Sequence, residues 1–418
     1  MTSLSSQQIP FVDLSWQHRP LQADILAAVE QTMHKGEYVL GQAVAEFEST
    51  FAEACQTGHG VGVGCGTDAI ALGLRACGIC AGDEVILPAN TFVATLIGIV
   101  RAGAKPVFVD CDPDTALMDL RAAECAITRK TRAIVPVHLY GQMVSPKGLL
   151  DLAERYELII FEDAAQAHLA EREGYRAGGV GLAAAFSFYP SKNLGALGDG
   201  GMLVTQEAVV AQTARSLRNY GATRKYFHTD PGGTNSRLDT LQASVLQLKL
   251  PHLSEWNRDR NRLAAYYDQA LAPLAAQGIV PMKNVSEKGH VYHLYVIRVT
   301  TACSVDRTVL QLELSSQDIQ TGIHYPTPCH LQPAFQSLGH RAGDFPHAEA
   351  HSQEILSLPM YPGLTTEQID RVVDAIRSAV TVGNDEASDA TSDQGSSDTS
   401  REMTSAKAVA GNTADLTV

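Results

Sequence analysis

The sequence has no run of about 18 or more apolar residues, the length a helix needs to cross a bilayer. Nothing in its 418 residues is therefore expected to span a membrane. It has no basic block to offset a net charge of −14, which argues against a nucleic-acid-binding face. Its opening stretch, MTSLSSQQIPFVDL, lacks the basic and apolar regions of a secretory leader. A reduced, cytoplasmic setting is expected for its eight scattered cysteines. Cys77 and Cys80 form a C-x-x-C, but no second such pair and no suitably spaced histidine pair accompany it. Thiols packed near a helix end are the better reading than a metal or redox centre. No G-x-G-x-x-G fits the first strand-to-helix turn, and no acidic residue follows where a dinucleotide ribose needs one. A nicotinamide dehydrogenase is thus the weaker reading.

What is present is an ordinary globular composition, 45% apolar, in a chain long enough to bury a sizeable core without staples. GVGVGCG, DEVILPAN, KPVFVD, TRAIVPVHL and LIIFED read as strands. TDAIALGLRACG, TFVATLIGIVRAG, ALMDLRAAECAI and SPKGLLDLAERYE carry helical repeats between them. This alternation implies an α/β fold, a mostly parallel sheet covered by helices on both faces, with its site at the C-terminal ends of the strands. Later in the chain a long helical region is broken near Pro251, and HVYHLYVIRV alternates as a strand. RTVLQLELSSQ reads as a helix leading to a second strand at IQTGIHYP, and the helix TTEQIDRVVDAIRSAV follows. The expected division is a large domain with its N-terminal segment over 1–250, a smaller α+β domain over 251–380, and a disordered acidic Ser/Thr-rich tail over 381–418.

Four segments converge if the strand ends do. In GCGTDAI, Gly66, Thr67 and Asp68 open a helix whose N–H groups suit a phosphate; a plain N-cap explains them as well. In LIIFEDAAQAHLA, Asp163 ends a buried strand and needs a partner, either a structural cation or a bound pyridinium nitrogen. Glu162 should point to the other face. Gln166 lies one expected helical turn past Asp163 and would face the same ligand. In SFYPSKNLGALGDGG, Lys192 follows Ser187 and precedes Gly195, Gly198, Gly200 and Gly201. A lysine that forms a Schiff base must be partly desolvated, and small neighbours let a flat cofactor lie close. In PANTFVAT, Phe92 either stacks on such a cofactor or packs in the core.

Taken in order, IPFVDL, GTDAI, PANTFVAT, EDAAQAHLA, SFYPSKNLGALGDGG, RNYG, NSRLDTLQASVL and HYPTPCHLQPAF resemble the DegT/DnrJ/EryC1/StrS sugar aminotransferases, over roughly residues 9–378. The resemblance implies the fold type I architecture of pyridoxal-phosphate transferases and pyridoxal 5'-phosphate as cofactor. It implies that Lys192 carries the cofactor and, once freed by the donor amino acid, acts as general base. Asp163 would pair with the ring nitrogen and Gln166 with the phenolic oxygen. Gly66, Thr67, Asp68 and Ser187 would hold the phosphate, and Phe92 would cover the ring. Asn235 would reach the phosphate of a neighbouring subunit, making a homodimer with shared active sites. The implied donor is L-glutamate, and the implied acceptor is a nucleotide-linked ketosugar, most like C3 of a dTDP-3-keto-6-deoxyhexose. A UDP-linked 3-keto sugar or a 4-keto sugar is the alternative. Tyr189, His324 and Tyr325 are candidates for the sugar, against a packed-loop reading. Arg218, Tyr220 and Arg237 are candidates for the diphosphate or the donor carboxylate, against structural ion pairs.

Overall fold

A computed structural model describes residues 8–392 of the chain. Seven strands build the main sheet: β1 (His59–Val63), β2 (Glu84–Pro88), β3 (Lys105–Val109), β4 (Thr131–Ile134), β5 (Ile159–Asp163), β6 (Ala183–Ser187) and β7 (Gly201–Thr205). Their order across the sheet is β3-β2-β4-β5-β6-β7-β1. All neighbours are parallel except β7, which runs against both β6 and β1. Alternation divides the strand side chains between two cores. Phe161, Ala183, Ala185 and Leu203 join Ile70, Leu74, Leu96 and Ile99 on one face. Ala184, Phe186, Met202 and Val204 join Phe47, Phe51 and Leu246 on the other. Because both faces are covered, the strands read as nearly continuous apolar runs.

The connections are mostly helices. Gly66–Ala76 follows β1, Val93–Arg101 follows β2 and Pro146–Tyr156 precedes β5. The helix expected in ALMDLRAAECAI is confined to Leu120–Cys125, where Asp119 caps it by accepting from the Arg121 N–H at 2.8 Å. The long helical region divides where expected. Thr240–Lys249 and Leu253–Leu271 are separated by a 3-10 turn holding Pro251.

A smaller antiparallel sheet follows, with β8 (Ile279–Pro281), β9 (Tyr295–Val299) and β10 (Ile355–Leu358) in that order. Its core includes Tyr267, Ile297, Leu310, Leu356 and Ile376. The expected strand at IQTGIHYP does not form. That segment makes two isolated bridges, Ile319 to Ile9 and Gly322 to Ser357, and β10 takes the place beside β9. Pro326 and Pro328 in the same stretch have no N–H to give a ladder. Ile9, from the N-terminal segment assigned by sequence to the large domain, is buried in the core of the smaller sheet. The last helix, Thr366–Ser392, runs past Thr381, where a disordered tail was expected to begin; the rest of that expected tail, 393–418, lies outside the described residues. Among the described residues no helix is long and apolar enough to cross a membrane.

Candidate active site

The C-terminal ends of β1, β2, β4, β5 and β6 surround one site. Asp163 ends β5 and is buried. Thr95 Oγ1 donates to its Oδ2 at 2.7 Å, and the Ala165 N–H donates to its Oδ1 at 3.1 Å. Both donors are neutral. Burial pushes the carboxyl up from its ordinary range, against these two bonds and the attraction of Lys192 and His138. A carboxylate held this way is stabilised by one further cationic N–H. Glu162 points to the opposite face, as alternation requires. It accepts from the N–H groups of Gly178, Val180 and Gly181 and pairs with His138 Nε2, each at 2.9 Å.

Gln166 does not sit on a helix; residues 164–170 are turns. The turns nonetheless aim it at the site. Its Oε1 accepts from the Tyr140 N–H at 2.7 Å, and its Nε2 donates to the Tyr325 hydroxyl at 3.0 Å. Tyr140 takes a left-handed conformation (φ 61°) to present that N–H, and its own hydroxyl donates to the His324 carbonyl at 2.7 Å. The Phe92 ring lies 5.1 Å from that of Tyr325 and is 43% exposed, so it lines the mouth and is no core residue.

Lys192 is partly exposed, on the loop after β6, and its N–H donates to the Tyr189 carbonyl at 2.8 Å. Desolvation pushes its ammonium down to about 8, while the Asp163 charge pulls the other way. A substantial neutral fraction near neutral pH is what a nucleophilic lysine needs.

The helix Gly66–Ala76 has Cys65 at its N-cap and no side-chain oxygen capping it. The nearest side-chain group to the Thr67 and Asp68 N–H groups is the Cys65 thiol, a weak acceptor that a phosphate displaces easily. A Cβ at Gly66 would stand 2.7 Å from Ser187 Cβ; the glycine lets the Ser187 hydroxyl lie against the helix start. An uncapped helix N-terminus beside a serine fits a phosphate. Thr67 belongs to that first turn. Asp68 does so through its backbone alone, since its carboxylate is tied to Arg101 at 2.5 Å. Together with Asp163 and Lys192, this donor set fits an aldehyde cofactor that carries a phosphate and a basic ring nitrogen.

Residues 20–377 match the DegT/DnrJ/EryC1/StrS aminotransferase family. The chain belongs to that family. It is 44% identical over 368 residues to the pleiotropic regulatory protein of Geobacillus stearothermophilus, covering 88% of this chain and 97% of that one. It is 44% identical over 370 residues to the dTDP-3-amino-3,4,6-trideoxy-alpha-D-glucose transaminase of Streptomyces venezuelae, covering 88% and 96%. The structure of S. venezuelae DesV in complex with a ketimine intermediate superposes with a TM-score of 0.84 at 43% identity, over 89% of this chain and 98% of that one. The fold is that of the family's pyridoxal-phosphate aminotransferases.

The remaining candidates divide. Tyr325 belongs to the site through Gln166 and Phe92. The His324 ring turns toward the smaller sheet, stacked on Phe11 at 5.6 Å and 2.9 Å from Ser357 Oγ; burial pushes it down to about 4, so it is neutral. The Tyr189 N–H lies 3.3 Å from Ser187 Oγ. Asn235 is exposed and bridges to Asn219. Arg237 donates to Asn219 Oδ1 at 3.0 Å and lies 5.7 Å over the Tyr220 ring. Arg218 is a structural ion pair. It is buried against Glu48 and donates to the Gly62 carbonyl at 2.6 Å, which removes it from the diphosphate candidates. Cys77 is pushed up to about 12 by burial, which leaves it an inert thiol. Among the described residues no group of three or more His, Cys, Asp or Glu is placed to hold a metal. Sequence reasoning missed Thr95 and Tyr140. The one available signal was the Thr91–Thr95 pair one helical turn apart, whose hydroxyls meet at 2.8 Å.

Proposed function

We propose that the chain transfers an amino group from L-glutamate to a ketosugar linked to a nucleotide, at C3 of a dTDP-3-keto-6-deoxyhexose, with pyridoxal phosphate as cofactor. The observation that carries this is the meeting of a buried carboxylate, a lysine with a lowered pKa and an uncapped helix N-terminus at one rim of the sheet. The dTDP-3-amino-3,4,6-trideoxy-alpha-D-glucose transaminase at 44% identity supports the dTDP carrier and position C3. A dTDP-3-amino-3,6-dideoxy-alpha-D-galactopyranose transaminase at 42% identity supports the 6-deoxyhexose. The cofactor supplies an electron sink for the donor's α-carbon. Lys192 Nζ would bind the cofactor and, once released, would take the proton from that carbon. Asp163 would pair with the ring nitrogen and Gln166 with the phenolic oxygen. Ser187, Thr67 and the N–H groups from Gly66 onward would hold the phosphate. Phe92 would cover the ring. Tyr325, Tyr189 and Arg237 are assigned to the acceptor. The exposed Asn235 is assigned to the phosphate of a second copy, so the working unit is a homodimer, and the setting is cytoplasmic.

The test is a visible spectrum of the protein with pyridoxal phosphate. An absorption band should appear, bleach on adding L-glutamate, and return with a dTDP-3-keto-6-deoxyhexose. Lys192→Ala should remain folded and show no turnover. Bleaching without recovery would overturn the sugar and keep the transaminase. No band at all would hand the fold to a non-catalytic role.

A further inference from the structure

A chain of buried hydrogen bonds, passing through two backbone carbonyls, joins the serine proposed for the phosphate to the residue beside Lys192. His168 Nε2 lies 2.9 Å from the Ser187 carbonyl, which only accepts, so that nitrogen carries the proton. Burial pushes His168 down to about 3, and among the described residues its Nδ1 has no hydrogen-bond partner. Asn257 Nδ2 donates to the His168 carbonyl at 2.9 Å. Asn257 Oδ1 accepts from Asn193 Nδ2 at 2.9 Å, and that nitrogen also donates to the Val291 carbonyl at 2.8 Å. The backbone carbonyls at both ends thus fix the orientation of both amides. Asn193 Oδ1 is left to accept from His293 Nδ1 at 3.1 Å. Asn193, Asn257, His168 and His293 are all buried.

The segment carrying His293 is itself held. Arg260, buried on the same helix as Asn257, donates to the carbonyls of Tyr292 at 3.0 Å and Met360 at 2.9 Å. An ordered polar network of this kind costs stability wherever one member is left unpaired, so its geometry is strongly specified.

We propose that Asn257 is a positioning residue that sets Lys192 against Ser187. It bonds the residue whose ring holds Ser187 and the residue adjacent to Lys192, and it bonds no reacting group. This rests on the roles given above to Lys192 and Ser187.

The experiment compares binding of pyridoxal phosphate and pyridoxamine phosphate to the apoprotein. Only the aldehyde bonds Lys192; both use the phosphate and ring contacts. Asn257→Ser should weaken pyridoxal phosphate by about tenfold, roughly the worth of one buried hydrogen bond, and leave pyridoxamine phosphate nearly unchanged. In a Lys192→Ala background the same substitution should have no further effect on pyridoxal phosphate, because the group it positions is gone. Equal weakening of both ligands, or the same loss in the Lys192→Ala background, would show a merely structural residue and overturn the proposal. So would an unchanged preference in Asn257→Ser. His293→Gln, which loosens Asn193 from its other side, gives the same reading if the first variant does not fold. Failure of the underlying roles has a different signature, since the unaltered protein would then bind both ligands alike.

Discussion

Desolvation favours the neutral form of both the partly exposed Lys192 and the buried Asp163, and each charge favours the charged form of the other. Only a neutral amine attacks an aldehyde. The rate at which pyridoxal phosphate combines with the apoprotein is therefore expected to level off above pH of about 8. Below that it should fall by about tenfold per pH unit. Asp163→Asn removes the attraction that raises the lysine, so its levelling point should lie at lower pH. A midpoint near that of a free lysine in the unaltered protein would mean that burial is not felt at Nζ. These two residues, with Gln166 and Ser187, were readable because each stands at or just past the end of an apolar run, where a polar side chain needs a reason. Thr95, Tyr140 and Asn257 were not. Each is defined by a partner elsewhere in the chain, Asp163 for Thr95, Gln166 for Tyr140 and Asn193 for Asn257, and the spacing of Thr91 and Thr95 does not name that partner.

At the scale of elements, six strands of the main sheet could be read, β6 from the run AAAFSF among them, because cover on both faces makes them apolar throughout. β7 was hidden by the glycines before it. β10 was missed because it follows the helix Pro346–Glu354 with no turn residue between them to mark its start. The junction that matters most was readable only in part. GCGTDAI suggested a helix opening, but the reason for its glycine is the close approach of β6. Ser187 Cβ would lie 2.7 Å and Ser187 Cα 3.3 Å from a new Cβ at Gly66. Gly66→Ala must push either the helix start or the end of β6 away. We expect a loss of about 1–3 kcal/mol in apoprotein stability, typical of overpacking. Affinity for pyridoxal phosphate and pyridoxamine phosphate should fall together, because the phosphate cradle serves both. Loss of the aldehyde form alone would place the damage at Lys192 and refute the cradle.

Across the whole molecule, three separate stretches meet at one buried ammonium. Lys249 ends the helix Thr240–Lys249 and is fully buried. It donates to the Gly195 carbonyl on the Lys192 loop and lies 3.3 Å from His18 Nε2 near the N-terminus. His18 is pushed down by burial and by Lys249 itself, so it is available as an acceptor. Desolvation lowers Lys249 from 10.5 to about 8. Below pH 8 the ammonium is charged in both states, and its burial cost is fully present. Between about 8 and 10.5 the unfolded chain holds a proton that the folded chain has released, so this residue's contribution to stability rises with pH. Lys249→Met removes that titration while filling a similar space. The stability of the unaltered apoprotein relative to the variant should therefore climb by roughly 3 kcal/mol across that window, at about 1.36 kcal/mol per pKa unit. Other groups titrate there too, but they are common to both proteins and cancel in the difference. Thermal unfolding of the two apoproteins at a series of pH values measures it. Melting temperatures that stay parallel would mean that Lys249 is hydrated in solution and that its hold on the Lys192 loop is loose.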